Sequence, residues 1–170
     1  MNRIHQLAVI LMVAAAEAKG ERRIVVSIPD RKLALVVDGE VTKIYPVAVG
    51  KEASPSPAGS FKIVTRVPNP TWYGPKKVVA PGKANPLGTR WIGLSQKSYG
   101  IHGTNVPSSI GKAASHGCIR MRKADVEELF ELVEAGDTVD MLGERTDEIV
   151  QLFGVEAPKL VAQSLVKAAE

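Results

Sequence analysis

Apolar positions along this chain follow two rhythms. Up to about residue 67 they cluster in short runs rich in β-branched side chains. From residue 125 onward they recur every three or four positions. Residues 23–28 (RIVVSI) and 32–37 (KLALVV), parted by Pro29-Asp30, read as strands. Asp38-Gly39 is a two-residue hairpin signal, and 41–49 (VTKIYPVAV) follows as a third strand in which Pro46 demands an edge or a bulge. Residues 54–59 (SPSPAG) form a loop and 61–67 a further strand. Residues 68–90 hold Pro68, Pro70, Pro75, Pro81 and Pro86 with three glycines, which excludes a helix and predicts a long irregular excursion of the kind that serves as a lid or binding loop. Val126, Leu129, Phe130 and Val133 then mark a helix over 125–135 stopped by Gly136, with a closing strand at 138–142. Two more short helices are expected at 146–153 and 158–168, the latter opening on Pro158. The fold class predicted is mainly β with peripheral helices and a helical C-terminal tail.

The N-terminus differs from all of this. Arg3 and His5 precede an unbroken apolar run of ten, 7–16 (LAVILMVAAA), and Ala16-Glu17-Ala18 places small residues where a signal peptidase reads. Ten residues are too few to span a bilayer, which takes about 20. Residues 1–18 are therefore expected to be a cleavable export signal, placing the mature chain in the periplasm or cell envelope.

At 170 residues, 45% hydrophobic and 24% charged, the remainder suits one soluble domain. The single Cys excludes an intrachain disulfide framework and any multi-Cys metal site. The net charge of +4 is unevenly distributed. Residues 53–124 carry eleven Lys and Arg and no Asp or Glu, whereas 125–170 carry twelve acids and three bases. With 5% aromatics and an export signal, the basic stretch argues against nucleic acid and for an acidic substrate.

The candidate chemistry lies in 99–121 (YGIHGTNVPSSIGKAASHGCIRM), which holds Cys118 and both histidines of the mature chain. A loop of sixteen residues can return Cys118 to His102, and an imidazole beside a thiol takes its proton and lowers its pKa, making a nucleophile for amides and esters. Such a histidine needs a partner to fix its tautomer. With no local carboxylate, the sequence-near partner is the Gly103 carbonyl, although a distant acid could also fold in. Gly117 next to Cys118 would let backbone N–H groups approach a developing oxyanion. Arg120 is the natural fork for a substrate carboxylate. His116 is read as structural around the site. The alternative of zinc on His102, His116 and Cys118 lacks a fourth ligand within reach, so no metal is expected. Trp72, Tyr73 and Trp91 are either core or platform.

These residues resemble a known family. Ser115-His116-Gly117-Cys118-Ile119-Arg120-Met121, preceded by Ile101-His102-Gly103-Thr104, is similar to the active-site motif of L,D-transpeptidase catalytic domains (YkuD-like). Residues 45–51 (YPVAVGK), 56–63 (SPAGSFKI), 85–92 (NPLGTRWI), Asp125-Val126 and 136–139 (GDTV) fit the same pattern, so that 22–142 would be the catalytic domain and 144–170 an acidic helical extension. Arg120 stands where one version of the motif has Asn. The resemblance implies a sandwich-like or barrel-like β domain that cross-links peptidoglycan without metal or cofactor. Cys118 would attack the carbonyl of the third stem residue, release the terminal D-Ala and pass the acyl group to a second stem as a 3→3 link. It implies His102 as base, Gly103 as its orienting carbonyl, Gly117 and Cys118 as oxyanion donors, and Arg120, His116 and Ser115 as substrate-shaping groups. Donor and acceptor stem peptides are the expected partners, envelope proteins are further candidates, and a monomer is expected. Water, giving a carboxypeptidase, or a lipoprotein could replace the acceptor. A non-catalytic wall-binding module is the remaining alternative.

Overall fold

The computed structural model describes residues 20–154. The expected export signal and the expected helix at 158–168 lie outside these residues. Twelve strands and two helices make up the fold: β1 (Arg22–Ser27), β2 (Lys32–Val37), β3 (Glu40–Pro46), β4 (Val49–Gly50), β5 (Gly59–Pro68), β6 (Trp72–Tyr73), β7 (Val78–Val79), β8 (Arg90–Leu94), β9 (Gly100–His102), β10 (Ala113–Ser115), β11 (Ile119–Arg120), α1 (Lys123–Leu132), β12 (Thr138–Leu142) and α2 (Asp147–Phe153). Eight strands form one mixed sheet in the order β11-β9-β8-β5-β12-β1-β2-β3. The β1–β12 and β9–β11 pairs are parallel and the rest antiparallel.

The sheet curls until its two edges nearly meet. The chain leaves β3 at one edge, and Ala48 then makes two backbone hydrogen bonds of 2.9 Å with Arg120 on β11 at the other. Pro46 accounts for the break there: the single strand expected over 41–49 ends at Pro46, which cannot donate to a ladder, and resumes as β4 beside β10. Asp38 and Gly39 turn between β2 and β3 with positive φ at both positions, as a type I′ hairpin requires.

Strand alternation sends Ile24, Val26, Leu33 and Leu35 into the curl, where they join Ile63, Ile92, Ile101, Ile119, Val139 and the buried stripe of α1. The alternate residues Val25, Ala34 and Val36 face outward, and Ile149, Leu152 and Phe153 of α2 cover them. Being covered on both sides, β1 and β2 read as continuous apolar runs in the sequence. Thr146 caps α2 through its side chain, and Glu148 of α2 pairs with Arg23, which also bonds Asp140.

The α1 boundaries differ from the sequence expectation of 125–135. The helix starts at Lys123 and ends at Leu132, because Val133 turns extended to bury its side chain in the core. Gly136 serves the following turn, with φ of +97°.

Candidate active site

Strands β8, β9 and β11 bring three side chains into one row. Their registers place Trp91 opposite His102, and His102 opposite Arg120. Ile101 and Ile119, the intervening residues, are fully buried in the core. The other face of these strands must then carry His102, Arg120 and, two positions before Arg120, Cys118. All of them line a cleft of about 940 Å³, together with Trp91, Ser98, Ser115 and His116. Sixteen residues of loop thus return the cysteine to the histidine as expected, and parallel β pairing is what aligns them.

His102 is buried, and its Nδ1 lies 2.6 Å from the Gly103 carbonyl oxygen. A carbonyl only accepts, so Nδ1 carries the hydrogen and Nε2 is left with its lone pair. No distant acid folds in: among the described residues lining the cleft there is no Asp or Glu. Gly103 takes up this position because it packs backbone to backbone against Gly88, where a Cβ would lie 2.8 Å from the Gly103 Cα. The Trp91 ring stacks on the imidazole with centroids 5.6 Å apart and planes 24° from parallel. That settles the role of Trp91 as a wall of the site. It is also why residue 100 is glycine, since a Cβ there would meet the indole at 2.7 Å.

Burial holds His102 well below the usual imidazole value, at about 4. The Gly103 carbonyl opposes this shift and the Arg120 charge adds to it. Burial also pushes the Cys118 thiol above its ordinary value, outweighing the stabilising pulls of the Gly100 backbone and Arg120. Burial thus favours the neutral imidazole and the neutral thiol in the resting pair. Alkylation of Cys118 by iodoacetamide should accelerate about tenfold per pH unit from pH 7 to beyond 9, tracking thiol ionisation. A plateau already at pH 6–7 would reveal an ion pair instead.

The turn that carries the thiol is held from within. Gly117 N–H donates to Ser115 Oγ at 3.0 Å, and that hydroxyl donates to the Cys118 carbonyl at 2.5 Å. Ser115, expected to shape the substrate, is 1% exposed and spends its hydroxyl on this turn. Gly117, expected as an oxyanion donor, has its amide engaged by Ser115. Its φ of +112° and the Tyr99 ring 2.5 Å from a would-be Cβ explain the glycine. Behind the turn, Ser56 Oγ donates to the Gly117 carbonyl at 2.8 Å and accepts from Gly50 N–H at 2.9 Å. His116 is exposed at the cleft edge.

The opposite wall is the 68–90 segment. It is less irregular than expected, since β6 and β7 pair as a small hairpin. One fully buried side chain anchors it. Asn85 Nδ2 reaches the carbonyls of Pro70 (2.8 Å), Val79 (3.1 Å) and Ala80 (3.2 Å), while its Oδ1 accepts from Leu87 N–H (2.8 Å). Ser56 and Asn85 were missed from sequence as site-shaping residues. Their partners lie up to 61 positions away, and only the NPLG and SPAG segments hinted at them.

Among the described residues, no group of three or more His, Cys, Asp or Glu is placed to hold a metal ion. The same residues contain no helix long and apolar enough to cross a membrane. A curled mixed sheet, with a cysteine and a carbonyl-tethered histidine on adjoining parallel strands, defines a β protein with a Cys–His cleft. Comparison with known proteins gives that class a family. The L,D-transpeptidase catalytic domain (YkuD) profile matches residues 21–141, and the chain belongs to this family. It is 46% identical over 119 residues to the L,D-transpeptidase YkuD of Bacillus licheniformis, covering 70% of this chain and 64% of that protein. It is 38% identical over 125 residues to the L,D-transpeptidase YqjB of Bacillus subtilis, covering 71% and 70%. The chain thus spans somewhat less than two thirds of the first relative. A solved L,D-transpeptidase from Mycobacterium tuberculosis shares the fold at a TM-score of 0.63 and 18% identity, over 72% of this chain and 58% of that one. One from Enterococcus faecium does so at 0.62 and 24%, over 72% and 50%.

Proposed function

We propose that the protein is an exported acyltransferase that cross-links peptidoglycan stem peptides through a thioester on Cys118. The observation that carries this reading is the 2.6 Å contact between His102 Nδ1 and the Gly103 carbonyl, which leaves Nε2 free to accept a proton on the cleft side. In the proposed course, Nε2 takes the thiol proton as Sγ attacks the carbonyl of the third stem residue. The same nitrogen then protonates the departing amine of the terminal D-Ala. The oxyanion rests on the Cys118 amide, because the Gly117 amide is already given to Ser115. An amine on a second stem takes the acyl group and regenerates the thiol, giving a 3→3 link. Arg120, beside Cys118 in a cleft with no acidic lining among the described residues, suits a substrate carboxylate. No cofactor enters this scheme.

Incubation with a defined tetrapeptide donor tests it by intact mass. The expected result is a covalent tripeptidyl adduct with loss of one D-Ala, followed by cross-linked dimer when acceptor is added. Conversion to free tripeptide would assign the acceptor as water. Retention on sacculi with neither adduct nor product would leave a binding module and defeat the enzymatic reading.

A further inference from the structure

We propose that the outward face of the β6–β7 hairpin is a docking surface for the glycan strand that carries the stem peptide. The identity of the occupant rests on the peptidoglycan reading above. The surface itself rests on the hairpin's register. Tyr73 pairs with Val78 and Trp72 with Val79, so the two pairs face opposite ways. Trp72 and Val79 are half-buried against the cleft. Tyr73 and Val78 are 78% and 62% exposed, the most solvent-open large apolar residues among those described.

The fold does not need this outer pair. Asn85 anchors the base of the hairpin, and the turn is closed by Gly74 N–H on the Lys77 carbonyl (2.9 Å) and by the Trp72 ring lying over Gly74. A paired aromatic and aliphatic face held open by structure built elsewhere marks a contact surface.

Three observations select a glycan. First, Tyr73 also lines the cleft rim, so the outer face continues into the site. Second, reach is short. If the third stem residue is acylated, the sugar stands at most three residues from Cys118, about 10 Å at full extension. Whatever enters the cleft therefore brings its glycan to the rim. Third, Lys76 and Lys77 form the exposed turn beside Tyr73, and among the described residues neither forms an ion pair. An amino-sugar strand offers apolar C–H ring faces to the phenol and hydroxyl and acetamide oxygens to the lysine ammonium groups.

The test separates this surface from catalysis by using glycan strands stripped of their stems, which cannot be turned over. The wild-type protein should bind them, and amidating their freed lactyl carboxylates, which restores the neutral linkage of a stem-bearing strand, should leave that binding in place. Tyr73→Ala should weaken binding about tenfold, as loss of an aromatic anchor does, and Tyr73→Trp should restore it. Val78→Ser, on the same outward face but outside the cleft lining, should also weaken strand binding and leave acylation by the free tetrapeptide, which has no sugar, unchanged. Absence of wild-type binding, undiminished binding by Tyr73→Ala, or an equal loss by Val78→Ser toward the free tetrapeptide would each overturn the proposal. Failure of wild-type acylation with intact strand binding would instead strike the transpeptidase reading alone.

Discussion

Cys118→Ala is expected to abolish acyl-enzyme formation outright, with no adduct by intact mass and no release of D-Ala from any donor. The expectation follows from count and from placement. Cys118 is the one cysteine in the chain, and its side chain shares the cleft with the only imidazole tethered by a neighbouring carbonyl among the described residues. The substitution removes one sulfur from a partly exposed position, while Ser115 and Ser56 continue to hold the turn. The variant should therefore melt within about 1 kcal/mol of the parent, as small changes outside a packed core do. An adduct that survives in a folded variant would place the nucleophile elsewhere.

His102→Gln should lower the acylation rate by roughly a hundredfold to ten-thousandfold near neutrality, the usual worth of a general base. The shape of the pH profile identifies the cause. With His102 at about 4 in the folded protein, the parent should hold its rate down through the weakly acidic range and lose it only as the pH approaches 4. The variant should be slow there and gain about tenfold per unit at alkaline pH, because only ionisation in solution can then supply the thiolate.

Stability should report the same burial. The unfolded imidazole binds its proton near 6.5 and the folded one only near 4. Between those values the unfolded state holds more protons, so stability is full above 6.5 and declines as the pH falls toward 4. The loss from this one group is about 3 kcal/mol. His102→Gln should flatten that slope in a denaturant titration. An unchanged slope would mean that the imidazole is not held neutral.

Much of this site was legible because its signals are local. Asp38-Gly39 dictates its own turn, and the pairing of His102 with its neighbour's carbonyl spans a single residue. Hence the absence of acid from 53–124 pointed to the Gly103 carbonyl before any geometry was available. What escaped depended on contacts between distant segments. The upward push on the Cys118 thiol comes from burial, which no local motif encodes. The Gly117 amide is withdrawn by a hydroxyl that sequence assigned to the substrate. The early end of α1 reflects the gain from burying Val133, which outweighed the stop signal at Gly136. The hairpin at 72–79 is too short for periodicity to reveal, and its anchor, Asn85, looks in sequence like any loop asparagine.

The joint between Ala48 and Arg120 ties the cleft to the closure of the sheet. It is the seam where the curled sheet meets itself, and Arg120 stands two residues from the thiol and opposite His102. Its two partners lie far apart in the chain, and Ala48 holds the strand on which Arg120 faces His102. Loosening the seam would therefore disturb the cleft as well as the sheet.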